Sequence, residues 1–257
     1  WKINDQKDEF REKFYTYGID EDIKKRVNKI IIFTSDNGGV ASGDNYSTSN
    51  LPLRGGKGYQ WEGGIREPFF INVPWYKSNG TSTDYPVVGT DFYPTILDLI
   101  DADNLPNQHI DGVSLKPLLE GKTLTKRALF WHYPHYGNQG GEPSSIIQED
   151  GWKLIHYWED GRNELYNLSL DIDEQVNVAS EHLKLTEQLS NKLNSWLLKV
   201  GANMPSKDLE YNEALAKQRQ NYLKNEFILK LEQNRLKFLS KDFEPNADWW
   251  QSKVTLD

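Results

Sequence analysis

The sequence predicts an α/β region that passes into a small antiparallel α+β subdomain, and three patterns predict it. Lys29 to Thr34 (Lys-Ile-Ile-Ile-Phe-Thr) is a short, continuous, β-branched apolar run that ends in Ser-Asp-Asn-Gly-Gly. That pattern suits a strand buried on both faces, with polar groups at its C-terminal edge, where open α/β sheets place ligands. From about residue 126 the apolar residues alternate and aromatics become frequent, as in half-buried antiparallel strands. After them, residues 181–200 repeat apolar residues at helical spacing.

Taken in order, residues 5–28 are rich in Lys, Asp and Glu and predict exposed helix. Residues 38–66 are glycine-dense with scattered apolar positions, which predicts a long ordered loop. Pro68–Val73 resumes a strand, and Asp91–Ile100 predicts a helix with Phe92, Ile96, Leu99 and Ile100 on one face and Asp91 near its start. Ala128–Tyr133, Ser145–Gln148, Lys153–Tyr157 and Asn163–Tyr166 predict four antiparallel strands, with Glu-Asp-Gly turns at 149–151 and 159–161. Leu185, Leu189, Leu193, Trp196 and Leu197 form the apolar face of a covering helix closed by Gly201. Residues 208–240 are charged and helical in pattern, with an apolar line through Leu215, Tyr222, Phe227, Leu231 and Phe238, before a tail ending Asp-Trp-Trp. The expected divisions are 1–125 for the α/β part, 126–205 for the antiparallel subdomain and 206–257 for a helical tail.

The net charge of −8 gives no basic face for a nucleic-acid backbone, and no apolar run approaches the roughly 20 residues that span a bilayer. With no cysteine, the chain can form neither disulfides nor Cys–zinc sites. Trp1 to Asp5 is followed by charge and not by an apolar leader core, so the sequence is expected to begin inside a longer protein.

Three constellations carry chemistry. Asp36-Asn37-Gly38-Gly39 offers a carboxylate and an amide oxygen, hard donors that suit calcium or magnesium better than zinc, although Asx-Gly is equally a turn. Leu53-Arg54-Gly55-Gly56-Lys57-Gly58, followed by Glu62-Gly63-Gly64-Ile65-Arg66-Glu67-Pro68, flanks a lysine with glycines that let backbone approach a ligand. Lys57 would meet an oxyanion as a point charge. Arg54 and Arg66 either assist it or pair with Glu62 and Glu67. In Trp131 to Gly141, His135, Asn138 and Gln139 stand among aromatics and suit either a sugar or aryl ligand or packing on the covering helix. His132, His109, His156 and His182 are read mainly as packing or surface residues.

Thr34 to Gly39, Leu53 to Gly58 and Trp61 to Pro68, with Gly89-Thr90-Asp91-Phe92-Tyr93-Pro94-Thr95 and Asp111-Gly112-Val113-Ser114-Leu115, resemble in order and spacing the second half of a sulfatase. The resemblance covers about residues 29–205. It implies an alkaline-phosphatase-like sandwich followed by an antiparallel C-terminal subdomain. It also implies calcium (or magnesium) on Asp36 and Asn37, a sulfate contact for Lys57, and leaving-group contacts for His135, Asn138 and Gln139. The substrate class would be sulfated sugars or aryl sulfates, and the full-length protein would be periplasmic or secreted.

One departure accompanies these matches. The family's nucleophile is a formylglycine made from Cys or Ser in C/S-x-P/A-x-R, and Ser49-Asn50-Leu51-Pro52-Leu53-Arg54 does not match that spacing. The nucleophile and the first aspartate pair are expected upstream, this chain alone is expected to be inactive, and self-association or a partner carrying the N-terminal half is expected. Two rivals stand beside this reading: a phosphatase or phosphodiesterase of the same superfamily, and a truncated, non-catalytic carbohydrate-binding relic.

Overall fold

The computed structural model describes residues 29–40, 50–76, 80–105, 111–137, 140–206 and 208–227, with single positions at 107 and between 229 and 242. The helix expected over 5–28, the Leu231 and Phe238 positions and the Asp-Trp-Trp tail lie outside the described residues. Two compact units divide the chain, one containing described residues up to Phe33 and from Phe69 to Leu124, the other Thr34 to Pro68 and those from Thr125 onward.

In the first unit β1 (Ile31–Thr34) pairs with β2 (Phe69–Asn72) in a two-stranded sheet. Here the expectation of a strand buried on both faces is corrected. Ile31 is 46% exposed, Phe33 50% and Phe70 58%. A two-stranded sheet has too little neighbouring surface to cover both faces, though ring contacts form among the described residues, such as Phe69 stacked on Phe92 at 5.3 Å. A 3₁₀ turn over Gly89–Asp91 leads into α2 (Phe92–Leu99), which follows α1 (Glu62–Ile65, in the other unit) in chain order. Leu99 is buried as expected, but Ile96 and Ile100 are exposed and Pro94 and Thr95 are buried instead. Polar anchoring explains the rotation of this face. The Asp91 carboxylate accepts from the Val88 and Val113 amides, both at 2.9 Å. The Thr95 hydroxyl accepts from the Leu115 amide at 2.9 Å, ahead of α3 (Lys116–Leu119).

In the second unit β3 (Leu129–Tyr133), β4 (Ser144–Glu149), β5 (Trp152–Tyr157) and β6 (Asn163–Asn167) form an antiparallel meander in chain order. Register follows the alternation, with Trp131 opposite Ile146, and Ile146 opposite Ile155. The β4–β5 turn places Asp150 (φ 50°) and Gly151 (φ 80°) in the left-handed region, as a two-residue hairpin of this twist requires. One sheet face, with Ile147, Leu154 and Leu165, packs on Leu189, Leu193 and Leu197 of α4 (Leu183–Lys199). Each such buried leucine contributes about 1.5–3 kcal/mol relative to exposure. The other face, with Ile146, Ile155, Tyr157 and Tyr166, packs on Trp61 and Ile65 of the glycine-rich segment. That segment contains α1 (Glu62–Ile65), one turn within the expected loop.

The last described element, α5 (Glu213–Tyr222), continues into a π-helical turn at Leu223–Phe227. Its expected apolar line is not a buried seam: Leu215 is 62% exposed and Tyr222 48%. Alternating charge holds this helix in solvent, for example through the Lys217–Glu213 pair at 2.5 Å. Among the described residues no helix is long and apolar enough to cross a membrane.

Candidate functional site

The site grows from backbone contacts that only glycine permits. The Gly38 amide donates to Gly64 O at 3.1 Å, the Lys57 amide to Gly39 O at 3.1 Å, and the Gly63 amide to Arg54 O at 2.8 Å. A Cβ on Gly38 would lie 1.8 Å from Gly63 O, one on Gly63 2.4 Å from Arg54 O, and one on Gly64 2.1 Å from Tyr59 O. Any side chain there would force the two strands of loop apart. The Asn50 side chain completes the weave, accepting from the Gly39 amide at 3.1 Å and donating to Gly39 O at 2.9 Å and Gly55 O at 3.1 Å. Two motifs separated in sequence therefore share one scaffold: Gly39, beside Asp36 and Asn37, is bonded directly to the backbone of Lys57.

Asp36 is exposed, while Asn37 and Lys57 are half-buried. Lys57 forms no ion pair among the described residues. Beside Asp36 stands Glu67, whose carboxyl is pushed up to about 7, first by burial and then by the Asp36 charge. Its buried Oε1 finds no hydrogen-bond donor among the described residues. The Asp36 carboxylate and the Asn37 amide oxygen are hard oxygen donors, the chemistry that calcium or magnesium takes. Among the described residues no cluster of three or more His, Cys, Asp and Glu is arranged to hold a metal by itself. No residue set for a formylglycine is present, because the chain has no cysteine and Ser49 has the wrong spacing.

The two arginines take structural partners. Arg54 lies 3.7 Å over the Trp61 ring and donates to the Glu174 carbonyl oxygen at 2.7 Å. Arg66 approaches Glu62 at 3.7 Å, as one of the two sequence readings allowed.

Beneath the loop is a cluster that sequence reasoning missed. Lys153 Nζ lies 3.0 Å from Glu62 Oε1 and 2.8 Å from Glu174 Oε1. All three side chains are at most 2% exposed. Glu174 Oε2 also accepts from the Glu62 amide at 2.6 Å. Burial raises the Glu174 carboxyl above the usual range, with Lys153 pulling the other way. A signal existed: Lys153 alternates with Ile155 and Tyr157 on an inward strand face, and a charge there requires a partner.

The Trp131–Gly141 segment meets the same scaffold. A Cβ on Gly140 would lie 2.3 Å from Tyr59 Cζ, and one on Gly141 2.2 Å from Gly58 O, so these two glycines rest on the residues just after Lys57. His135 is exposed, its ring edge-on to Tyr133 at 5.2 Å. Asn138 and Gln139 lie outside the described residues. His132 is structural, bridging Ser145 Oγ at 2.7 Å and Asn203 O at 2.8 Å, and His156 bonds Asn163 Oδ1 at 2.8 Å. His182 packs against Trp152, and His109 is outside the described residues.

Comparison with known proteins agrees with the motifs. A family model described as N-sulphoglucosamine sulphohydrolase, C-terminal, matches residues 56–200. A sulfatase of Formosa agariphila is 36% identical over 192 residues, 68% of this chain and 34% of its own length. Arylsulfatase J of Mus musculus is 27% identical over 231 residues, 73% of this chain and 38% of its own. A structure of a protein in complex with its substrate, D-glucosamine-2-N,6-O-disulfate, superposes with TM-score 0.56 at 26% identity, over 72% of this chain and 37% of that one. Another, in complex with k-i-k-neocarrahexaose, shares the fold with TM-score 0.58 at 23% identity, over 82% of this chain and 45% of that one. The chain spans about a third of the length of the curated relatives it matches. By its motifs, its fold and the match over residues 56–200, the chain belongs to the sulfatase family and corresponds to that family's C-terminal portion.

Proposed function

We propose that this chain supplies the sulfate-holding and leaving-group side of a sulfuric ester hydrolase acting on sulfated sugars or aryl sulfates. One observation carries the reading: the hydrogen bond from the Lys57 amide to Gly39 O, which brings the Asp36-Asn37 edge and the Lys57 turn onto one scaffold. Asp36 and Asn37 would hold calcium or magnesium, which when bound polarises sulfate oxygens and offsets charge that builds during transfer. Lys57 would bring its ammonium to a further sulfate oxygen, with Gly56 and Gly58 leaving room for the ester to approach. His135, with Asn138 and Gln139, would contact the sugar or aryl leaving group, a reading supported by the close approach of Gly140 and Gly141 to Tyr59 and Gly58.

The residues in hand do not fit a formylglycine, so no step is assigned to one; the nucleophile is proposed to come from upstream sequence, and this chain alone is proposed to be inactive. A periplasmic or secreted location is proposed for the full-length protein. The family membership favours a sulfo group over phosphate as the group transferred.

The test is hydrolysis of an aryl sulfate with added calcium, by this chain and by the same chain with its natural upstream sequence. Activity in the longer form only, lowered about 100-fold by Lys57→Ala, is the expected result, in keeping with the loss of one oxyanion contact. Activity in neither form, with the upstream nucleophile shown by mass spectrometry to be converted, would sink the proposal and leave the carbohydrate-binding reading.

A further inference from the structure

The buried triad beneath the loop has no part in the chemistry above, yet its geometry is aimed at the turn that carries Lys57. Glu174 touches both ends of that turn. Its Oε2 takes the Glu62 amide at 2.6 Å, on the far side of Lys57, and its carbonyl takes Arg54 Nη1 at 2.7 Å, on the near side. Arg54 O and the Gly63 amide close the base between them at 2.8 Å. Lys153 of β5 then bridges Glu174 Oε1 and Glu62 Oε1 at 2.8 and 3.0 Å, anchoring the base to the antiparallel sheet.

Two features separate this cluster from ordinary packing. Glu174 holds φ at 50°, a left-handed conformation that glycine or asparagine would adopt with less strain. Strain of this kind persists where the surroundings demand a particular side chain. Moreover, buried ion pairs are poor sources of stability, and well-packed apolar residues of similar volume often serve as well or better. A triad of Glu62, Lys153 and Glu174 that is almost wholly dehydrated is therefore better understood through the geometry it enforces.

We infer that Glu174 is a positioning residue for the oxyanion site: through the Glu62 amide, Lys153 and Arg54 it sets the base of the 54–63 turn and thereby the placement of Lys57. The inference rests on the proposed role of Lys57 as a sulfate ligand.

Glu174→Gln is the informative variant, since it keeps the shape and an amide-accepting oxygen but removes the charge that holds Lys153. Two measurements apply, both on the chain as it exists. The first is amide hydrogen exchange, which needs no ligand. Exchange at Lys57 and Tyr59, whose amides bond Gly39 O and Gly56 O, should quicken at least tenfold relative to Ile155 in β5. The second is titration with inorganic sulfate, alone and with Lys57→Ala. Glu174→Gln should weaken sulfate about tenfold in the wild-type background and no further when Lys57 is already alanine, because coupled residues are non-additive.

Unchanged exchange at Lys57 and Tyr59 overturns the inference, whatever the melting temperature does. An equal loss of sulfate affinity in both backgrounds also overturns it, since Glu174 would then act independently of Lys57. Should wild type and Lys57→Ala bind sulfate equally poorly, the sulfate-ligand reading fails, and the exchange result alone decides whether Glu174 positions the turn. Should Glu174→Gln not fold, Glu62→Gln breaks the same triad from the turn side and is read by the same two measurements.

Discussion

At the scale of single residues, Glu67 is the group whose environment makes the sharpest claim. Its carboxyl is pushed from 4.5 to about 7 by burial and by Asp36. Folding therefore favours the protonated acid, and between about pH 4.5 and 7 the folded chain holds more protons than the unfolded one. Stability must fall as pH rises through that window, the opposite of the usual salt-bridged carboxylate. Glu67→Gln should flatten the profile, which melting temperatures recorded from pH 4.5 to 7.5 will show. A profile with the same slope in both proteins would place the titration elsewhere. Lys57 differs in kind: it forms no ion pair among the described residues.

At the scale of elements, the antiparallel sheet is sandwiched between two unlike layers. α4 covers one face through a leucine stripe, and the glycine-rich segment with Trp61 and Ile65 covers the other. Leu193, 1% exposed among Ile147, Leu154 and Leu165, should cost about 2–5 kcal/mol when cut to alanine. Leu198, 83% exposed on the same helix, should cost less than about 0.5 kcal/mol. Urea unfolding of both variants compares them directly, and similar losses would mean that α4 does not pack as described. The second layer is of different character. Its contacts are backbone against backbone at Gly38, Gly63 and Gly64, so it holds position through hydrogen bonds and close approach more than through buried area.

Across the whole molecule, burial differs between the two units. β4 and β5 carry Ile146, Ile147, Leu154 and Ile155 at 3% exposure or less, while β1 and β2 leave Ile31, Phe33 and Phe70 about half exposed. Amide hydrogen exchange should therefore be slowest in β4 and β5 and fastest in β1, β2 and α5, since local opening tracks buried apolar contact. Uniform protection would contradict this gradient. Much of the architecture was legible in advance where a local rule suffices. Alternation marked the four strands, Glu-Asp-Gly marked their turns, and the Leu189–Leu193–Leu197 repeat marked the covering helix. The glycine-dense segment marked close backbone packing at Gly38, Gly63 and Gly64, because no other residue tolerates a carbonyl about 2 Å from its Cβ position.

What the sequence determined by itself was the family and the antiparallel subdomain, because periodicity and motif spacing are local properties of a chain. Only the tertiary structure decided which surfaces are covered and which charges meet. β1 has the composition of a buried strand but is half exposed, since burial depends on neighbours and not on composition. Lys153 stood on an inward strand face that called for a partner, but that Glu62 and Glu174 are those partners was decided only by a fold that brings three distant segments within 3.0 Å of one another.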